Sequence, residues 1–280
     1  MNAICAYSMS GQYGPIARYV NYSFLLVSII FHRHKKIVSG ALGAAMLFSA
    51  ISAIHGIALA SARGRGTVDL DIIPVFAITG VGMMVGAPLL AWSKTLKEAP
   101  RSLRLVLFVW IALMFAGAMA SVASLRALPK PVACGIGPMC GLTCTTTLPM
   151  RKGQAITAVS FGWRNLLDRW TISFAFLGPI FAFFGVLFAV FRPHPRKMVQ
   201  QMMYDVDMSC HLRTRSCCTV VMPILSAGLA VVQIVIMEIM LMGPHGLPFD
   251  ESLTAIGQWS TLVGIALALL ASAIQWAFSE

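Results

Sequence analysis

Between Ile72 and Ser93 the chain reads IIPVFAITGVGMMVGAPLLAWS, with no charged residue. At ~1.5 Å per residue this run is about long enough to cross a bilayer core of ~30 Å. Similar runs recur along the chain, and none alternates polar and apolar positions as a barrel strand would. Backbone groups in lipid must satisfy one another, so such runs fold as helices. We therefore expect an all-α, polytopic membrane helix bundle.

Composition agrees. The chain has 280 residues, of which 58% are hydrophobic and only 11% charged, against about 25% charged in a soluble domain. Its mean hydropathy is +0.79. A soluble protein has too little polar surface to hide this much apolar area. The net charge of +11 would suggest nucleic acid in a soluble chain. Here basic loops beside membrane spans, which set topology and rest on anionic lipid, explain it better, and no nucleic-acid partner is expected. Residues 1–14 lack the basic and apolar regions of a signal peptide, so the first span is expected to insert as its own signal.

Seven spans are expected at about 15–31, 37–62, 72–93, 105–125, 170–191, 219–243 and 256–278 within one domain, or six if the first does not cross. In the first, Arg18 is read as snorkelling, with Tyr13, Tyr19 and Tyr22 as interfacial aromatics. Asn21-Tyr22-Ser23 fits a glycosylation sequon but falls inside the span, so it is discounted. The second span has small residues at four-residue steps, from Gly40 through Ala44 to Ala53. Gly82 and Gly86 give the third span a GxxxG packing face, available within the bundle or to a homo- or hetero-oligomer. The long loop 126–169 ends in Ile156–Trp170, whose spacing suggests an amphipathic segment on the membrane surface.

Lys and Arg set the orientation. Arg33, Lys35 and Lys36 follow the first span, Lys94, Lys97, Arg101 and Arg104 the third, and Arg192, Arg196, Lys197, Arg213 and Arg215 the fifth. The opposite short loops are poor in both, which puts the N-terminus on the non-cytoplasmic side and the C-terminus in the cytoplasm, in the plasma membrane or an endomembrane.

On this topology Arg18, His55, Asp69, Asp71, Glu238 and His245 fall near one level, as a polar mouth at the outer helix ends. Intramembrane ionisable groups are costly and face the bundle or water. The alternative is that each snorkels or makes one interhelical hydrogen bond, and this is the favoured reading. No catalytic residue, metal site or cofactor is assigned. Cys5, Cys134, Cys140 and Cys144 face the oxidising side and are disulfide candidates with open pairing. The spacing of the last three matches no zinc finger. Cys217 and Cys218 are juxtamembrane palmitoylation candidates.

The strings YGPIARYVNYSFLL (Tyr13–Leu26), SAIHGIAL (Ser52–Leu59), VDLDIIPVFAITGVG (Val68–Gly82) and PLLAWSKTL (Pro88–Leu96) resemble a group of uncharacterised fungal multi-pass membrane proteins. The resemblance covers roughly the first 125 residues and a Cys-bearing loop after the fourth span. It implies a fungal membrane protein with paired outer cysteines, and it carries no activity. Retinal proteins fit worse, since the last span lacks a lysine. So do rhodopsin-like receptors, whose acidic-Arg-aromatic triplet is missing, and membrane terpene cyclases, because Glu238 is the sole acid placed inside a span. The expected function is that of a non-enzymatic sensor, receptor-like or accessory membrane component. A transporter or channel subunit comes second, and a lipid- or terpenoid-modifying enzyme third.

Overall fold

The computed structural model describes residues 2–31, 35–61, 67–92, 101–126, 132–133, 156–160 and 208–242, with positions 177, 178, 180, 183 and 184. The described chain is mostly helical. Its helices are α1 (Pro15–Ile30), α2 (Lys35–Ser61), α3 (Ile72–Trp92), α4 (Arg101–Arg126) and α5 (Met208–Met242). Among the described residues four stretches are long and apolar enough to cross a membrane: Gly40–Ser61, Ile72–Leu90, Ser102–Arg126 and Leu225–Met242. At Pro15–Ile30, α1 is apolar but shorter. The expected segments 170–191 and 256–278 lie outside the described residues, apart from helical positions between 177 and 184.

Helix α3 is the centre of the bundle. Its apolar stretch is buried throughout, whereas that of α5 is mostly open. It packs against α1, α2, α4 and α5. Pro88 inside α3 has no N–H, so the Met84 carbonyl one turn earlier loses its helical donor. The Ser226 hydroxyl of α5 donates to that carbonyl instead. In an apolar interior a freed backbone group needs such a partner.

Glycines set the closest approaches. Gly82 and Gly86 both face α4, where added Cβ atoms would meet Met114 and Trp110. The GxxxG face is thus used within the chain. A Cβ on Gly117 of α4 would come within 2.7 Å of the Ala53 backbone in α2. Beside this crossing, the Trp110 indole Nε1 donates to Ser49 Oγ at 3.1 Å. That hydrogen bond gives the buried indole its partner.

Three elements depart from the sequence reading. The polar lead before α1 contains a strand, β1 (Asn2–Tyr7), at the centre of a four-stranded sheet with β2 (Val68–Asp69), β3 (Val132–Ala133) and β4 (Ile156–Ser160). Strand β4 runs antiparallel along one edge of β1, from Ala3 opposite Ser160 to Tyr7 opposite Ile156. The other edge is shared. There Ala6 and Tyr7 pair in parallel with Val68 and Asp69, and Asn2 and Ala3 pair antiparallel with Ala133 and Val132. The expected amphipathic segment at 156–170 is therefore a strand over 156–160. Its backbone pairs residue by residue with β1. Helix α5 also begins earlier than expected, so Cys210, Cys217 and Cys218 lie in its first turns and not in a loop.

The sheet gathers the segment before α1, the α2–α3 connection and the chain following α4. The start of α1, the end of α2, the start of α3 and the end of α4 accordingly sit at one end of the bundle. An antiparallel succession of helices requires this alternation, and the sheet laces those ends together.

Gly86→Ala should lower the unfolding midpoint in detergent, by about 1–3 kcal/mol of overpacking against the buried Trp110 ring. Gly82→Ala, whose added carbon meets Met114 at an ordinary 3.5 Å, should be neutral or slightly stabilising. Equal losses at both positions would contradict this α3–α4 packing.

Candidate functional site: a polar cluster beneath the sheet

The turn that follows β1 carries Met9, Ser10 and a 3-10 turn, Gly11–Tyr13, before Gly14 and Pro15 open α1. Proline suits the first helical position because its missing N–H would have no helical acceptor there. This compact turn points its polar groups at three different helices.

Asp71 precedes the first turn of α3. Its carboxylate accepts the Ser10 backbone N–H and the Ser10 hydroxyl, each at 2.7 Å. Asp69 Oδ1 in turn accepts the Asp71 N–H at 3.1 Å. A carboxylate at a helix N-terminus is also favoured by the helix dipole. The two acids thus tie the β1–α1 turn to the start of α3, and both are buried.

His55 of α2 meets the same turn. Its Nδ1 lies 2.7 Å from the Tyr13 hydroxyl. The two rings also lie nearly parallel, with centroids 5.5 Å apart.

Arg18 and Glu238 form the centre of the cluster. Arg18 Nε donates to Glu238 Oε1 at 2.8 Å and Nη2 donates to Oε2 at 2.6 Å. Its Nη1 donates to the Tyr13 carbonyl and approaches the Met9 sulfur at 3.9 Å. This is a two-pronged guanidinium–carboxylate fork, the strong form of the interaction. Arg18 is fully buried and Glu238 is 9% exposed. Arg18 therefore does not snorkel: a carboxylate from α5 lies within reach, and meeting it leaves no reason to extend towards water. Of the three tyrosines expected at the interface, Tyr13 and Tyr22 are buried and only Tyr19 is substantially exposed.

Among the expected mouth residues, Arg18 and Glu238 are joined directly. His55 reaches them through Tyr13, and Asp71 through the turn that begins at Ser10. His245 lies outside the described residues. Sequence reasoning missed Ser10, Tyr13 and Met9 as the connecting groups. The signal was present in Gly11 and Gly14-Pro15, which mark a tight turn and so hold short side chains close to the start of a helix.

Cys5 sits in β1 opposite Ala158 and is nearly buried. Cys134, Cys140 and Cys144 lie outside the described residues. Asn21 is completely buried, in keeping with discounting the sequon. Among the described residues no group of three or more His, Cys, Asp or Glu side chains could hold a metal ion.

At the charged centre of the cluster each oxygen of Glu238 accepts a hydrogen bond from Arg18. Its chemistry is that of a clasp. Comparison with family models, with curated proteins and with solved structures finds no match.

Removing one partner of a buried ion pair strands the other charge. Glu238→Ala should therefore destabilise the protein by about 3–5 kcal/mol, and Arg18→Met/Glu238→Leu should recover most of that loss. Chemical unfolding in detergent checks this. A double variant no more stable than Glu238→Ala would contradict the clasp.

Proposed function

We propose that this chain is a multi-pass membrane protein of the non-enzymatic kind, a receptor-like or accessory component with no reaction of its own. The observation that carries the reading is the Arg18–Glu238 fork. A general acid or base must offer an open position within hydrogen-bond reach of a reacting atom. Glu238 spends both oxygens on Arg18. Asp71 holds Ser10 with both of its own, and His55 Nδ1 faces Tyr13. In this reading the polar mouth locks the outer helix ends together.

The proposal includes seven spans, with the sheet and N-terminus on the non-cytoplasmic side and the basic loops resting on anionic lipid. It also includes a fungal origin, which rests on the resemblance alone. A disulfide between the N-terminal strand and the long loop belongs to the same picture. Its support is that Cys5 is engaged as a half-cystine. Strands β3 and β4, which flank the stretch holding Cys134, Cys140 and Cys144, both pair with the strand that carries Cys5, and each of the three is a candidate partner.

Two measurements test the reading. The chargeless variant Arg18→Met/Glu238→Leu should insert normally and rescue a deletion strain as well as the wild type. Normal insertion with lost rescue would place chemistry or transport in the pair. Non-reducing peptide mapping should link Cys5 to one of Cys134, Cys140 and Cys144, with impermeant maleimide labelling the loop cysteines from outside after reduction. A map with no cross-link from Cys5 to the long loop, or labelling of the loop only after permeabilisation, would overturn the disulfide or the orientation respectively.

A further inference from the structure

The register of α5 against α3 sets the depth of its N-terminal half. The Ser226 hydroxyl donates to the Met84 carbonyl, so these two positions share a level. The two helices run in opposite directions, because Glu238 near the end of α5 and Asp71 before α3 both bond the N-terminal end of the chain, through Arg18 and Ser10. From Met84, α3 continues to Trp92, a rise of roughly 12 Å. Counted back from Ser226, α5 covers about the same distance in the same direction by Cys218. It is helical from Met208 to Met242. Cys217 and Cys218 therefore stand at the level of Trp92, just before Lys94 ends the uncharged run of the third span. A tryptophan at such a place marks the boundary between membrane and water. Arg213 and Arg215 lie slightly further out on the same helix.

The same count gives their face. Roughly eighteen residues make five turns of α-helix, so Cys217 shares its angular position with Val235 and Cys218 with Ile236. A proline such as Pro223 tilts the axis between them but takes no residue out of the count. Val235 and Ile236 are exposed, and so are Leu225 and Val232 on the same side. The opposite side carries the buried Ala230 and Met237. Both cysteines thus fall in line with the face that α5 leaves open. Among the four apolar stretches, that of α5 is the least covered by protein.

We propose that Cys217 and Cys218 are a site of S-acylation by a long-chain fatty acid of the palmitoyl kind, and that the acyl chain lies along the open face of α5. The cysteine sulfur attacks the carbonyl carbon of a long-chain acyl-coenzyme A. The bond from that carbon to the coenzyme A sulfur breaks, and the leaving thiolate takes the thiol proton. One thioester replaces another, so neither oxidant nor reductant enters. Depth selects the residues. A thiol at the boundary meets the thioester at headgroup level while the hydrocarbon chain stays in the core. Cys210 lies roughly 10 Å further out along the helix, beyond that level. The acyl donor is cytoplasmic, so the site rests on the orientation proposed above.

Metabolic labelling of the full-length protein with an alkynyl palmitate tests the site. The wild type should carry label that neutral hydroxylamine removes. Cys217→Ser/Cys218→Ser, present in the membrane at the wild-type level, should carry about tenfold less, while Cys210→Ser keeps it. Label that persists in the double variant, or that is lost with Cys210→Ser, would overturn the assignment. A wild type without label would overturn it too, and impermeant maleimide followed by peptide mapping then shows which reading failed. Adducts on Cys217 and Cys218 in sealed cells would mean that the orientation is inverted. Adducts formed only after permeabilisation would leave the orientation standing and refute the acylation alone.

Discussion

The interaction on which the architecture depends is a buried charge pair. Arg18 leaves the first turn of α1 and meets Glu238 near the end of α5, from the opposite end of the sequence. Taking both charges out of water is expensive, and the cost is offset only when geometry is good and the remaining donors are satisfied. Here the fork is two-pronged, and the third guanidinium nitrogen finds the Tyr13 carbonyl. The pair therefore specifies which helix lies beside α1, a choice that nonspecific apolar packing leaves open.

From that pair the rest of one end follows. The turn that supplies the Tyr13 carbonyl also presents the Tyr13 hydroxyl to His55 of α2 and Ser10 to Asp71 of α3. Strand β1 leads into this turn and carries the strands that lie next to α3 and beyond α4. Four helices and a sheet are thus referenced to some fifteen residues at the N-terminus. Away from this end, packing is governed by shape: Gly117 against Ala53, Gly86 against Trp110, and Ser226 covering the carbonyl that Pro88 leaves bare.

The helices were legible because the signal is local. An uncharged run such as Ile72–Ser93 has one viable structure in lipid, and the observed α3 ends within a residue of it. A shared level for Arg18, His55, Asp69, Asp71 and Glu238 was expected from the topology that Lys and Arg set. What joins them was not. Arg18 and Glu238 are 220 residues apart, and nothing in a single sequence records that separation. The sheet was hidden for a different reason. NAICAY is short and does not alternate, and β2 and β3 have two residues each. Such strands exist because tertiary placement brings backbones together, while their own β-propensity contributes little.

The central claim is that Arg18 and Glu238 act as a mutually specifying pair, and exchanging them tests it most directly. Arg18→Glu and Glu238→Arg should each destabilise the protein in detergent, and the combined exchange should recover a large part of the loss, measured as the coupling energy of the double-mutant cycle. Recovery of stability in the exchanged protein supports the clasp as the reference for the fold. If the two losses simply add, the charges do not meet in the folded protein, and this account of how α1 and α5 come together fails.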